Sequence, residues 1–318
     1  MSNSKEIRRR ISSIENTGKI TRAMEMVSAA KMKRATESVL RIRPYAKSAW
    51  SILTNLARSF DKYESKLLEV REVDKVLVIV ITSNRGLCGA FNSQIIRKVK
   101  KEIENPESLR INRIGEEKII PKNLDKELEI DFVTVGRKGE NLVLRLGNKI
   151  IASFPELTYL PGIENVRPLA KLIIEEYEKA NYDKVVMAYT DYVSIVKQTP
   201  KIRQILPVSR IDLEKQIKEM DYKGEHGDLN KPVSEYKVEP NPEKVLKEIF
   251  PSLIEMQIYH AILESNASKE SARMLAMKNA TDAAKEMGAD LTLVYNKLRQ
   301  MKITQEIAEI SAGSAAVE

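Results

Sequence analysis

Apolar positions at the two ends of the chain recur with helical spacing, and those in the middle do not. From Ser4 to Arg43 there is no proline and a single glycine, Gly18, among residues that favour helix. Ile7, Ile11 and Ile14 follow steps of 4 and 3, the spacing of a coiled-coil seam. After Gly18 the apolar stripe moves to Ile20, Met24 and Val27, which predicts a seam that wanders as the helix leaves one partner and meets another. Pro44 is expected to kink or break this helix, with the pattern resuming to about Phe60. At the other end Pro251, the last proline, predicts a helix start. Met277, Ala280, Ala284, Met287, Leu291, Val294, Leu298 and Met301 then alternate steps of 3 and 4, an a/d seam sustained over several heptads. A second stripe, Ile303, Ile307 and Ile310, follows on a different face. A helix from Ser252 to Ile310 would be roughly 90 Å long. No compact domain of this size contains that length, so the helix is expected to project.

The middle reads as strands alternating with helices. Lys75 to Thr82 is near-continuously apolar and β-branched, as buried parallel strands are. A glycine-bearing turn and a helix from about Asn92 to Glu102 follow. Ile130 to Val135 predicts a second strand closed by Gly136-Arg137-Lys138-Gly139, Pro168 to Ala180 a helix, and Lys184 to Tyr189 another strand. This alternation predicts a Rossmann-like α/β domain. The segments 105–127 and 221–243, rich in Pro, Asn, Lys and Glu, read as surface excursions. The expected architecture is α/β: an N-terminal coiled-coil helix over 1–60, a central domain over 61–250, and a C-terminal coiled-coil helix over 251–318. A single domain between the helices returns the chain to its starting edge, so the helices are expected to pair antiparallel, as a stalk on a globular base.

Composition sharpens this picture. Hydrophobic residues at 42% exclude wholesale disorder, and 5% aromatics with 11 Met suit helix seams better than one thick core. The net charge of +8 sits almost wholly on residues 1–60, which hold 13 Lys and Arg against 4 Glu. Arg8, Arg9, Arg10, Lys31, Lys33 and Arg34 therefore predict an anionic partner. These residues lack the interleaved aromatics of single-strand binders, so an acidic protein fits better than nucleic acid, with a stand-alone nucleic-acid-associated coiled coil as the alternative. No apolar run reaches the ~20 residues of a membrane span.

Candidate chemistry is sparse. TSNRGLCGAFN (82–92) lies where phosphate loops occur but has neither GxGxxG nor GK[ST], so a tight strand-to-helix turn is expected. Cys88, the only cysteine, has no CxxC partner, and His226 and His260 stand at no metal-ligand spacing. Asp183 and Asp191 read as solvated strand-end carboxylates. No catalytic site, cofactor or metal is expected. The small, nearly uncharged end SAGSAAVE (311–318) suits a smooth collar that gives little resistance to turning.

Several of these stretches resemble the gamma subunit of F-type ATP synthases. NTGKITRAMEMVSAAKMK (16–33), TSNRGLCGAFN (82–92), GRKG (136–139) and QTPKIRQILP (198–207) match the family. So does the C-terminal block YHAILESNASKESARMLAMKNATDAA (259–284) with LVYNKLRQMKITQEIAEISAGSAA (293–316). The resemblance implies a central rotor shaft whose paired helices stand inside a hexameric ring of alpha and beta subunits. The α/β domain would then meet the membrane c-ring, with epsilon alongside, and nucleotide chemistry would belong to beta. It further implies that Met24, Arg273, Arg299, Gln300, Thr304 and Glu306 serve where the shaft meets beta and where its own helices keep register, with Met24 facing the Arg299 and Gln300 region. The basic N-terminal face would meet an acidic segment of beta. A peripheral place on the cytoplasmic side of a bacterial membrane is expected, since the paired cysteines and transit peptide of chloroplast members are absent. Ala283-Ala284 replaces a more polar pair, and Asn84 stands where Asp is frequent, which puts a charge contact there in doubt.

Overall fold

The computed structural model describes residues 4–57, 66–114, 117–119, 128–158, 161–208 and 242–315. It comprises two compact units, one of Met1–Ala30 with Arg273–Glu318 and one of Lys31–Ala272. Helix α1, Ser4–Ala57, and the final helix α6, Pro242–Ala315, each contribute to both.

Both long helices are more continuous than their prolines suggest. α1 passes Pro44 without a break. α6 opens at Pro242 and carries Pro251 in its interior, so Pro251 is not the start. A proline inside a helix forfeits one i→i−4 bond at a cost of ~3 kcal/mol, and packing on both sides of it offsets that. Phe250, Leu253 and Ile254 flank Pro251 and are buried in the main core. The 221–243 excursion falls largely outside the described residues. Described parts of 105–127 form a short helix and a two-stranded hairpin.

In the α/β unit the elements after α1 are β1 (Lys75–Ile81), α2 (Phe91–Glu104), α3 (Glu107–Arg110), β2 (Asn112–Ile114), β3 (Glu117–Ile119), β4 (Glu129–Val135), α4 (Arg137–Arg145), β5 (Ile150–Ser153), a 3-10 turn (Pro155–Thr158), α5 (Ile163–Glu178), β6 (Lys184–Tyr192) and β7 (Gln198–Leu206). The short helix in the 105–127 excursion is therefore α3, and β2 and β3 pair antiparallel beside it. The main sheet runs β5-β4-β1-β6-β7, parallel except for the antiparallel edge β7. This is a doubly wound α/β sheet, as expected. Its apolar layers lie on both faces. One is built from Leu77, Ile79, Ile81, α5 and the first part of α6, and the other from Val76, Val78, Val80, Ile95 and Val99.

The amino-terminal edge of the sheet is held by polar pins. Asp183 accepts the backbone N–H groups of Asp74 and Lys75 at 3.0 and 2.9 Å. Arg71 stacks on the Tyr177 ring at 4.9 Å and donates to the Tyr177 carbonyl, while the Tyr177 hydroxyl donates to the Glu69 carbonyl at 2.7 Å. Buried Lys184 donates to the carbonyls of Leu109 and Ile111, which ties α3 to the start of β6. Asp191, at the far end of β6, is buried and paired with Lys201 at 2.9 Å. Neither Asp183 nor Asp191 is the solvated carboxylate expected, because each is spent on local structure.

Candidate partner-binding surfaces

In the unit formed by the two helix ends, α1 and α6 run antiparallel. Thr281 Oγ1 donates to Thr21 Oγ1 at 2.8 Å. A Cβ on Gly18 would stand 3.5 Å from Ala284 Cβ, and one on Gly288 would stand 4.0 Å from Ile14 Cγ2. Each step up one helix is matched by an equal step down the other. The same register sets Ile11 opposite Leu291, Ile7 opposite Tyr295 and Ser4 opposite Leu298.

This seam is more regular than the apolar residues alone indicate. On α1 Ser4, Ile7, Ile11, Ile14, Gly18, Thr21, Glu25 and Ser28 are each buried or half-buried and alternate 3 and 4 without a shift. The seam does not wander: Ile20 and Val27 are exposed, and Met24 is half-buried at its flank. On α6 the seam positions are Met277, Thr281, Ala284, Gly288, Leu291, Tyr295 and Leu298. Met277, Ala284, Leu291 and Leu298 stand as expected. Met287 and Val294 do not, being 53% and 46% exposed, and neither does Met301 at 58%. The seam takes Thr281, Gly288 and Tyr295, one residue later in each heptad. Thr281 and Gly288 stand where the backbones approach closely, Tyr295 takes its position because the register turns it toward α1, and hydrophobicity alone selects the wrong neighbour. Met24 lies opposite Lys278 in this register. It does not face Arg299 or Gln300, which stand about 30 Å further along α6 at ~1.5 Å per residue. Of the departures from the family, Ala284 is in the seam and Ala283 is exposed.

Two surfaces remain uncovered in this unit. Ile20 and Val27, seven residues apart, share an exposed face of α1, and Met26 is exposed on another. On α6 every residue from Arg299 to Gly313 is exposed, among them Met301, Ile303, Ile307 and Ile310. Arg299, Gln300, Thr304 and Glu306 stand on this bare segment, where Thr304 Oγ1 donates to the Gln300 carbonyl at 3.0 Å and Lys302 pairs with Glu306 at 3.6 Å. Arg273 is half-buried at the other end of the α6 stretch. Arg8, Arg9 and Arg10 are exposed, with Arg10 held by Glu6 at 2.7 Å. Residues 316–318 of the expected collar lie outside the described residues.

In the α/β unit, Lys31, Lys33 and Arg34 are exposed on α1. Open doubly wound sheets bind ligands at the carboxyl ends of their strands. Here α6 fills that edge. Ser265 Oγ accepts the Thr190 N–H at 3.1 Å, Ser268 Oγ donates to the Thr190 carbonyl at 3.2 Å, and Lys269 Nζ donates to the Thr158 carbonyl at 2.5 Å. Ala272 packs with Cys88 and Phe91. The 82–92 loop is likewise consumed by its own bonds, as a tight strand-to-helix turn should be. Asn92 Nδ2 donates to Ser83 Oγ and Cys88 Sγ, and Ser83 Oγ donates to the Arg85 carbonyl. Asn84 Nδ2 donates to the Pro155 carbonyl and Thr158 Oγ1, both at 2.8 Å, and its Oδ1 accepts the Arg137 N–H. A carboxylate at 84 could not make the two donations. GRKG is no strand-closing turn alone. Gly136, at φ +100°, lets the chain pass the Thr82 carbonyl, and Arg137 begins α4. Among the described residues no cluster of His, Cys, Asp and Glu could hold a metal ion, and no helix is long and apolar enough to cross a membrane. His226 lies outside them.

Sequence reasoning missed the seam residues Gly18, Thr21, Thr281 and Gly288. Their signal was the unbroken 3-4 spacing from Ile14 through Gly18 and Thr21, which is visible once small residues are admitted to the seam.

A family model described as ATP synthase matches residues 3–317. The chain is 39% identical over 313 residues to the ATP synthase gamma chain of Heliobacterium modesticaldum, with 98% of each covered. It is 38% identical over 325 residues to that of Herpetosiphon aurantiacus, covering 100% of this chain and 99% of the relative. Its fold is similar to a chain in the Euglena gracilis mitochondrial ATP synthase structure of OSCP, F1 and c-ring in rotational state 3, with TM-score 0.62, 16% identity and coverage of 99% and 94%. A chain of the central stalk and c-ring structure from Tetrahymena thermophila gives TM-score 0.56 at 24% identity, covering 82% of this chain and 99% of that one. At these identities the solved structures speak to fold, and full-length identity to the curated relatives speaks to descent: the chain belongs to the ATP synthase gamma chain family.

Proposed function

We propose that this chain is the central rotor shaft of an F-type ATP synthase. It carries rotation between an ion-driven c-ring in the membrane and a catalytic ring of alpha and beta subunits, with epsilon alongside. It has no active site of its own and sits peripherally on the cytoplasmic side of the membrane. The observation that carries this reading is the bare end of α6. The seam with α1 is spent by Leu298, yet the helix continues to Ala315 with Met301, Ile303, Ile307 and Ile310 turned to solvent. Ile303, Ile307 and Ile310 share one face, and contiguous apolar side chains on a long polar-rimmed helix mark a surface that another protein covers.

Mechanistically, each face of an asymmetric shaft stabilises one conformation of a neighbouring catalytic subunit over the others, so turning the shaft shifts their populations in order. The exposed cations Arg8, Arg9, Arg10, Lys31 and Lys33 on α1 suit acidic segments of those subunits. Met24, Arg273, Arg299, Gln300, Thr304 and Glu306 are the further contacts we assign to the ring. The α/β unit, its ligand crevice filled by α6, is the part assigned to the c-ring and epsilon. Co-expression with alpha and beta subunits tests the reading. A ring complex containing this chain should form, and a bead on the α/β unit should turn during ATP hydrolysis. A ring complex that excludes the chain, or a bead that never turns, would refute it. The nucleic-acid alternative has no support from the family assignment.

A further inference from the structure

We propose that the buried polar stretch of α6 from Ser265 to Lys269 is a torsional lock that keys the helix to the sheet, with Ser268 and Lys269 as positioning residues for the transmission of rotation. This rests on the shaft reading above. Every residue of α6 from His260 to Ala272 is buried, and much of that stretch is polar. Burying polar groups costs free energy unless each finds a partner, so stability alone would favour the Ile and Leu that the same helix uses earlier, at Leu253, Ile254 and Ile258. Ser265, Ser268 and Lys269 instead reach two anchors set apart across the sheet.

One anchor is Thr190. β6 outruns β1 after Ala188, and the residue paired with Thr190 on β7 is Pro200, which has no N–H. The Thr190 N–H and carbonyl go to Ser265 and Ser268, so α6 serves as the missing ladder neighbour. The other anchor is the Thr158 carbonyl, which follows β5 at the opposite side and takes Lys269 Nζ. Thr158 is itself braced by Asn84 after β1, and Asn84 by the Arg137 N–H after β4. The helix is thus tied to the ends of all four parallel strands.

Directionality is what such ties add. Apolar contact is proportional to area and indifferent to angle, whereas a hydrogen bond survives only within a narrow range of distance and angle. Side-chain polar atoms lie about 5 Å from a helix axis. A turn of about 20° about that axis therefore displaces them by about 1.7 Å, enough to break these bonds. α6 continues unbroken past Ala272 to Ala315, so a torque along its axis meets the sheet at these bonds.

The test uses assembled complexes with the catalytic ring fixed and a bead on the α/β unit, comparing wild type with Ser268→Ala, Lys269→Met and, as a stability control, Ile262→Val. Ile262 is buried in the same helix but makes only apolar contact. With the rotor stalled by a non-hydrolysable nucleotide, the two polar variants should broaden the bead's angular fluctuation by on the order of 20°. They should also lose rotation under high viscous load while keeping unloaded ATP hydrolysis. Lys269→Arg should restore the narrow distribution. Ile262→Val should lower the melting temperature without broadening. If Ser268→Ala and Lys269→Met leave the width unchanged, or Ile262→Val broadens it equally, the lock is wrong while the shaft reading stands. A wild-type bead that does not turn removes both. Should Ser268→Ala fail to assemble, Lys269→Met against Lys269→Arg decides alone.

Discussion

Ile7 and Ile20 are the same residue type on the same helix, 5% and 61% exposed, and replacing each by alanine separates what holds the shaft together from what holds it to its partners. Ile7 is enclosed where the register sets it opposite Tyr295, close to the end of the pair. Truncating a buried isoleucine to alanine costs ~2–5 kcal/mol. A site near a helix end relaxes more readily, so about 2–3 kcal/mol is expected for Ile7→Ala. Ile20 gives up little buried area, and alanine is the better helix former, so Ile20→Ala should fall within about 0.5 kcal/mol of wild type. Because the chain has two compact units, amide hydrogen exchange of α1 residues in the isolated chain is a cleaner measure than a single melting curve. Ile7→Ala should speed exchange across the amino-terminal part of α1, while Ile20→Ala should leave it unchanged. In the assembled complex the order reverses for binding. Ile20→Ala should raise the dissociation rate from the ring by roughly tenfold, the effect of losing about 1.4 kcal/mol of buried contact. Equal exchange in the two variants, or normal retention of Ile20→Ala in the complex, would refute the assignment of seam and docking faces.

Gly18→Ala should stabilise the chain by up to about 1 kcal/mol in thermal unfolding, since mid-helix glycine is unfavourable and a Cβ there meets Ala284 at an ordinary 3.5 Å. Gly136→Ala should destabilise by ~2–4 kcal/mol, because φ is +100° and the new Cβ would collide with the Thr82 carbonyl. Asn84→Asp should cost ~1–3 kcal/mol by denaturant titration, since a carboxylate cannot donate to the Pro155 carbonyl and Thr158 Oγ1. Burial raises the Tyr177 and Tyr182 hydroxyls above their ordinary pKa of 10.0, and at Tyr182 the hydrogen bond to Asp131 adds to it. Their neutral forms are thus favoured in the folded state. The stability they contribute is complete below pH 10 and lost as pH rises beyond it, so denaturation midpoints should fall above about pH 10, and less steeply in Tyr182→Phe.

Much of this fold is legible in the chain because β1 and β6 are buried on both faces. VLVIVI has no competing reading, and the absence of glycine and proline over long spans marks the terminal helices. β7 is harder to see. Gln198 to Leu206 mixes Lys201, Arg203 and Pro200 with its apolar residues, which suits an edge strand and looks like a loop. β5, only four residues long, gives too short a pattern to register. Pro251 misleads because local chemistry disfavours proline inside a helix, and only the surrounding core reveals that the helix continues. The seam error has the same origin. Met287 and Val294 look like core residues, and their exposure follows from the register of the pair, which turns Gly288 and Tyr295 toward α1 instead. Ser265 and Ser268 carry no local signal at all, because their role depends on a strand about 75 residues earlier that runs short of a neighbour.

Helix pairs pack 8 to 10 Å apart depending on the side chains between them. With Gly18 against Ala284 and Gly288 against Ile14, this pair belongs near about 8 Å. Each helix is about 10 Å wide, so the section through the pair is an oblong of about 18 by 10 Å. An oblong body turning in a bore is a cam: it presses on each wall twice as its long diameter passes and relieves it between. Beyond Leu298 the section becomes a single round helix, which presents the same radius at every angle and behaves as an axle. On the proposed shaft reading, the residue at which the seam ends divides the length that pushes by its shape from the length that acts only through its side chains.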